Sequence, residues 1–193
     1  MAIINLTKEE VQFCIKTGQQ RYLSNRKANN PKGTNADIYP GQSDECGMLA
    51  EFAMLKGLGH TDLYNYDFFI NQGEFGKLKH NIKDINFNGV LCEVRSSLHP
   101  NGHLAIKQRD FINNTNVPFV FAVVDSRYIE DETGKKRTEI RYLPNGGINV
   151  TFHGWLTAQE VKDIKNWQRG YEQWWAKKNQ LKPMYELPGL ENN

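Results

Sequence analysis

Apolar and polar positions alternate with two different periods along this chain, and the change of period sets out its elements. Thr7-Lys8-Glu9-Glu10 has the spacing of a capping box, and Val11, Cys14, Ile15, Tyr22 and Leu23 continue it as a helical stripe to about residue 26. The segment 28–43, rich in Asn, Gly and Pro, predicts a loop. It ends at Ser43 or Asp44 as the N-cap of a second helix that stops near Gly57 to Gly59. Short strands are predicted over 63–70, 82–87, 90–96 and, after the Pro100-Asn101-Gly102 turn, 104–108. From Val117 to Val124 every residue except Pro118 is apolar, as in a central strand covered on both faces. A charged turn over 131–137 precedes strands over 138–143 and 148–152 near an edge. Thr157-Ala158-Gln159-Glu160 is a second capping box, predicting a helix to about residue 178, broken at Gly170, and an irregular tail over 181–193. Helices at both ends of a run of strands predict an α/β (α+β) fold with a mixed central sheet flanked by helices.

Composition narrows the class without choosing a function. A chain of 193 residues with 39% apolar content is most simply one domain, residues 1–193, able to bury a core without staples. Cys14, Cys46 and Cys92 are widely spaced and form no CxxC pair, which points to a reducing compartment and away from a zinc knuckle. The N-terminus turns polar too early for a signal peptide, and no apolar run reaches membrane-spanning length, so a soluble, cytoplasmic protein is expected. A net charge of +2 neither demands nor excludes a nucleic-acid partner.

The chemistry-bearing stretch runs from Asp84 to Ser97. Glu93 and Arg95, two apart on a strand, point to one face with Leu91, while Val90, Cys92 and Val94 take the other. Asn88-Gly89 is a tight-turn signal that folds the strand behind Asp84 onto this one. Two readings fit: a solvated acid–base pair on an exposed strand, or two carboxylates and a cation gathered for a hard divalent metal and a phosphate. On the second helix Glu51 shares an apolar stripe with Met48, Leu55 and Leu58. An ionised acid buried there needs compensation, so Glu51 either reaches water at the stripe's edge or supplies a third carboxylate to the metal site.

The remaining constellations are less specific. Lys77, Lys79, His80 and Lys83, and separately Arg21, Arg26, Lys27 and Lys32, form basic clusters that are either solvated faces or tracks for a phosphate backbone. Trp167, Tyr171, Trp174 and Trp175 fall at helical spacing, predicting a buried or interface stripe rather than a base-stacking one. His99 and His103 flank a turn and cannot form a zinc pair on one helix face.

A helix with Gly47-Met48-Leu49-Ala50-Glu51, a strand with Asp84, a turn, and a strand reading Glu93-Val94-Arg95-Ser96-Ser97 together resemble the PD-(D/E)XK nuclease superfamily, the restriction-endonuclease-like fold. The resemblance covers about residues 44–125. Gly154-Trp155-Leu156-Thr157 is also similar to a passage in small phage-type members, which implies host cytoplasm as the setting. Matched residue by residue, Glu51 takes the place of the helix acid, Asp84 the strand acid and Glu93 the second acid, while Arg95 stands where lysine is usual. The resemblance implies a metal-dependent nuclease acting on DNA, with Mg²⁺ or Mn²⁺ held by Asp84, Glu93, the Val94 carbonyl and, directly or through water, Glu51.

Arg95 is the departure from that pattern. A guanidinium supplies charge and paired hydrogen bonds but cannot act as a base, so Lys107 on the next predicted strand is the candidate for a relocated lysine. Against catalysis stands a nuclease fold that only binds DNA or a protein partner. Against both stands a structural protein whose Trp-rich segment drives homo-oligomerisation.

Overall fold

The apolar run at residues 117–124 becomes the middle of the main sheet. The computed structural model describes residues 2–27, 39–59, 85–87, 90–111 and 115–190. Strand β5 (Pro118–Val124) is buried at every residue, with the proline at its first position, where a missing N–H does least harm. On one side β5 pairs in parallel with β3 (Val90–Ser97), and β3 pairs antiparallel with β2 (Ile85–Phe87). On its other side β5 pairs antiparallel with β8 (Ile148–Thr157), which pairs antiparallel with β1 (Ala2–Leu6). The result is a mixed sheet in the order β1-β8-β5-β3-β2.

Alternation along β5 divides the core in two. Val120, Ala122 and Val124 face one cluster with α1 (Lys8–Lys27) and α2 (Gln42–Gly57). Phe119, Phe121 and Val123 face the other, which contains Leu104 and Ile106 of β4 (Leu104–Lys107), Val161 of α4 (Ala158–Asp163) and Ala176 of β10 (Gln173–Ala176). Each phenylalanine buried in this way contributes roughly 1.5–3 kcal/mol.

Both capping boxes form. The Glu10 amide donates to Thr7 Oγ1 at 3.3 Å and the Thr7 amide to the Glu10 carboxylate at 2.7 Å. Glu160 and Thr157 repeat the arrangement at the start of α4. The second helix is capped two or three residues before the expected Ser43 or Asp44: left-handed Gly41 (φ 95°) is its N-cap, with no side-chain cap bond. The two helices approach closely at Gly18, where an added Cβ would lie 2.6 Å from the Glu45 Cα. The N-terminal sequence predicts no strand where β1 lies.

The largest departure from the sequence reading is at the C-terminal end. The helix expected over 157–178 ends at Asp163, and Lys165 turns the chain with a left-handed φ of 64°. The chain then returns as β9 (Trp167–Gln168) and β10, a hairpin that extends β4 into a second small sheet, β4-β10-β9. Trp167 and Trp174, seven apart, are register partners across this hairpin with ring centroids 4.6 Å apart, so their spacing reflects strand pairing and not two helical turns. Of the charged turn predicted over 131–137, residues 131–135 join β6 (Ser126–Glu130) to β7 (Lys136–Ile140), an antiparallel pair of which the sequence predicts only the second strand, over 138–143. β8 is longer than its expected 148–152 and carries a register irregularity opposite Phe121 and Ala122. There Gly154 (φ 145°) leaves room for the Lys182 carbonyl, which an added Cβ would meet at 2.2 Å. The strand expected over 63–70 lies outside the described residues. Among the described residues no helix is long and apolar enough to cross a membrane.

Candidate functional site

The strand carrying Glu93, Val94 and Arg95 sits between a hairpin partner and the central strand. Phe87 is paired with Val90 and Ile85 with Cys92, the hairpin that Asn88-Gly89 implies. Cys92 and Val94 are buried in the α1/α2 cluster, so Glu93 and Arg95 rise from the opposite face of the sheet. The guanidinium carbon of Arg95 lies 5.3 Å from the centroid of the Phe119 ring, on that second face. Arg95 Nη2 is 3.4 Å from Glu93 Oε2 and donates to Asp110 Oδ2 at 3.2 Å. Asp110 comes from α3 (Gln108–Phe111), the short turn that follows β4. The three side chains are partly open to water, 12% exposed at Glu93, 27% at Asp110 and 33% at Arg95. Two acids and one arginine give this cluster a formal charge of −1.

Asp110 has no counterpart in the sequence reading. It lies on a four-residue helical turn with no apolar period, fifteen residues from the arginine it holds, so no local pattern marks it. Phe111 beside it packs on Trp174 with centroids 5.4 Å apart, and Lys162 Nζ stands 4.5 Å from the Phe111 centroid. These contacts fix the turn that presents Asp110.

Glu51 is not brought to this cluster. It is buried on α2, on the other face of the sheet, where Arg21 of α1 donates to its two oxygens at 2.8 and 2.7 Å. The compensation that an acid in an apolar stripe demands is supplied by a bidentate arginine. Lys107 ends β4, is exposed, and is the register partner of Gln173; it stands three residues before Asp110. Asp84 lies outside the described residues, as do Lys77, Lys79, His80, Lys83 and Lys32. Of the other basic cluster, Arg21 is engaged by Glu51. His99 and His103 both lie in the loop between β3 and β4, the first with its ring against Tyr128 and the second 4.7 Å from the Trp175 ring.

The donors at the Glu93 cluster are carboxylate oxygens, the class that suits Mg²⁺ or Mn²⁺ and not a soft metal. Among the described residues no group of three or more His, Cys, Asp or Glu side chains gathers closely enough to hold a metal ion. Glu93 therefore fits a hard cation in the kind of donor it offers, while Asp110 is turned to Arg95. Compared with family models, curated proteins and solved structures, the chain matches none.

Proposed function

We propose that the protein is a metal-dependent nuclease that hydrolyses phosphodiester bonds in DNA, with a restriction-endonuclease-like arrangement of its core. The observation that carries this reading is the placement of Glu93 and Arg95 on one face of β3, with Arg95 held by Asp110 over the Phe119 ring. Support also comes from the order of elements. A helix and a hairpin follow one another in the order of the resemblance, and the apolar strand β5 comes next, parallel to the hairpin's second strand.

Glu93, Asp84 and the Val94 carbonyl are the groups that would hold Mg²⁺ or Mn²⁺. When bound, such an ion lowers the pKa of a coordinated water and offsets charge on the scissile phosphate. The chain's own contribution is orientation. Arg95 offers a planar pair of donors to a phosphate oxygen, and Asp110 keeps the guanidinium beside Glu93. A guanidinium is not a base that can take a proton from water, which leaves Lys107 as the residue to examine for that role.

Incubating supercoiled plasmid with the purified protein in Mg²⁺ or Mn²⁺ tests this. Nicking or linearisation that chelator stops and Glu93→Ala abolishes is the expected result, and equal cutting by wild type and variant would sink the assignment. One observation favours a second reading, a module that binds DNA or a protein without cutting: Arg95 is already engaged by two carboxylates. That reading expects DNA binding unaffected by chelator and no cleavage in either metal.

A further inference from the structure

A second site stands at the end of the same strand. Beyond Ser97 the chain turns through Leu98, His99 and Pro100, and the β6–β7 hairpin closes over this turn. Ser126 donates its hydroxyl to the Leu98 carbonyl, the Ser97 hydroxyl accepts the His99 amide at 2.9 Å, and Lys178 Nζ donates to the Pro100 carbonyl at 2.6 Å. The turn is therefore closed locally by Ser97 and braced from outside by Ser126 and Lys178. Tyr128 Oη lies 3.1 Å from His99 Nδ1, and the two rings meet edge-on with centroids 5.3 Å apart. Between turn and hairpin is a cavity of about 440 Å³ lined by His99, Tyr128, Lys136, Arg137 and Thr138. None of these five residues is acidic.

Register explains how the hairpin builds this wall. Tyr128 is paired with Thr138, and Lys136 is two residues along from Thr138, so an aromatic ring, a hydroxyl and an ammonium share one face of the hairpin. Glu130 is the register partner of Lys136 but does not line the cavity. Asp131 takes Arg137 Nε at 3.0 Å, which fixes the direction of that side chain. Cationic and hydroxyl groups beside an aromatic face that is 46% exposed form the combination that receives a phosphate and a stacked base. The volume lies within the range of small-molecule sites and suits one nucleotide unit.

We propose that this cavity binds a nucleotide unit of single-stranded DNA, with the phosphate at Lys136, Thr138 and His99 and the base against Tyr128. His99 is four residues beyond Arg95, at most about 13 Å along the strand direction, so one extended strand can occupy both sites. The choice of DNA rests on the proposed function, whereas binding here requires neither Glu93 nor a metal. A protein that never cuts therefore still tests the cavity.

The test is fluorescence anisotropy of a short labelled oligothymidylate in chelator, with thymidine monophosphate and inorganic phosphate as competitors. Tyr128→Ala should weaken binding at least about fivefold, while Tyr128→Phe, which keeps the ring but loses the hydroxyl beside His99, should weaken it less. Lys136→Ala, at an exposed hairpin position, should lower the slope of log affinity against log salt by about 0.7, and Lys8→Ala should leave it unchanged. Competition by thymidine monophosphate supports a site for one nucleotide unit, and competition by oligonucleotide alone supports a site that needs the strand. Wild-type affinity in both Tyr128→Ala and Lys136→Ala, or inorganic phosphate competing as well as the nucleotide, would overturn the proposal. Circular dichroism of each variant separates lost binding from lost fold.

Discussion

The two faces of the main sheet use an acid and an arginine in opposite ways. On the α1/α2 face, Glu51 is 5% exposed and is met by both nitrogens of Arg21 within 2.8 Å, among Cys14, Met48 and other core residues. Burial there also raises the pKa of the Cys14 thiol, with Glu10 and Glu51 adding to the rise. On the other face, Glu93 and Asp110 share Arg95 at 3.4 and 3.2 Å within reach of water. The lesson is that an acid's partner and exposure decide its role more than its place in a motif does. A bidentate pair with a buried acid is structural, because removing the arginine strands the buried carboxylate. A looser, wetter cluster costs little to rearrange and can exchange a partner for a ligand.

The sharpest way to break this comparison is at the partner of Glu51. Arg21→Ala takes the guanidinium away from the buried Glu51 carboxylate and should cost about 3–5 kcal/mol in denaturant unfolding. A loss below about 1 kcal/mol would mean that the first face is as tolerant as the second.

A smaller effect is expected on the second face at His153, which lies on β8 with its ring 6.0 Å from that of Phe121. Burial, followed by the charge of Lys178, pushes its pKa from an ordinary 6.5 down to about 4. The unfolded chain then takes up the proton at a higher pH than the folded one. This contribution to stability is complete above pH 6.5 and is lost as pH falls from 6.5 toward 4. The urea midpoint of wild type should decline across that window, and His153→Gln should remove this part of the decline. An identical pH profile in the variant would contradict the environment described for the ring.

The smallest stability effect belongs to the candidate site itself. Asp110→Asn removes one partner from a half-exposed arginine and should cost at most about 1 kcal/mol. Its consequence should appear in DNA cleavage, through a less firmly held Arg95, while the unfolding midpoint barely moves. A cost as large as that of Arg21→Ala would place both clusters in the same structural class.

What could be read from the sequence follows the range of the interaction that carries it. β5 was legible because a strand buried on both faces needs an unbroken apolar run, and Thr7–Glu10 and Thr157–Glu160 were legible because a capping box closes within four residues. The extent of the last helix was not, because Trp167 and Trp174 at i, i+7 satisfy a helical stripe and a hairpin pair equally well. The empty edge of β4, far away in sequence, decides between them. Arg21 and Glu51 are thirty residues apart and Arg95 and Asp110 fifteen, so neither pairing leaves a local trace. For the same reason the match that set Glu51 beside Glu93 could order the elements along the chain without saying which face of the sheet each acid occupies.

The most direct test of this division is plasmid cleavage in Mn²⁺ by Glu93→Gln and Glu51→Gln side by side, under conditions where circular dichroism shows both folded. Glu93→Gln should lose cleavage while unfolding at the same denaturant concentration as wild type, and Glu51→Gln should cut while unfolding earlier. Cleavage retained by Glu93→Gln and lost by folded Glu51→Gln would contradict the account.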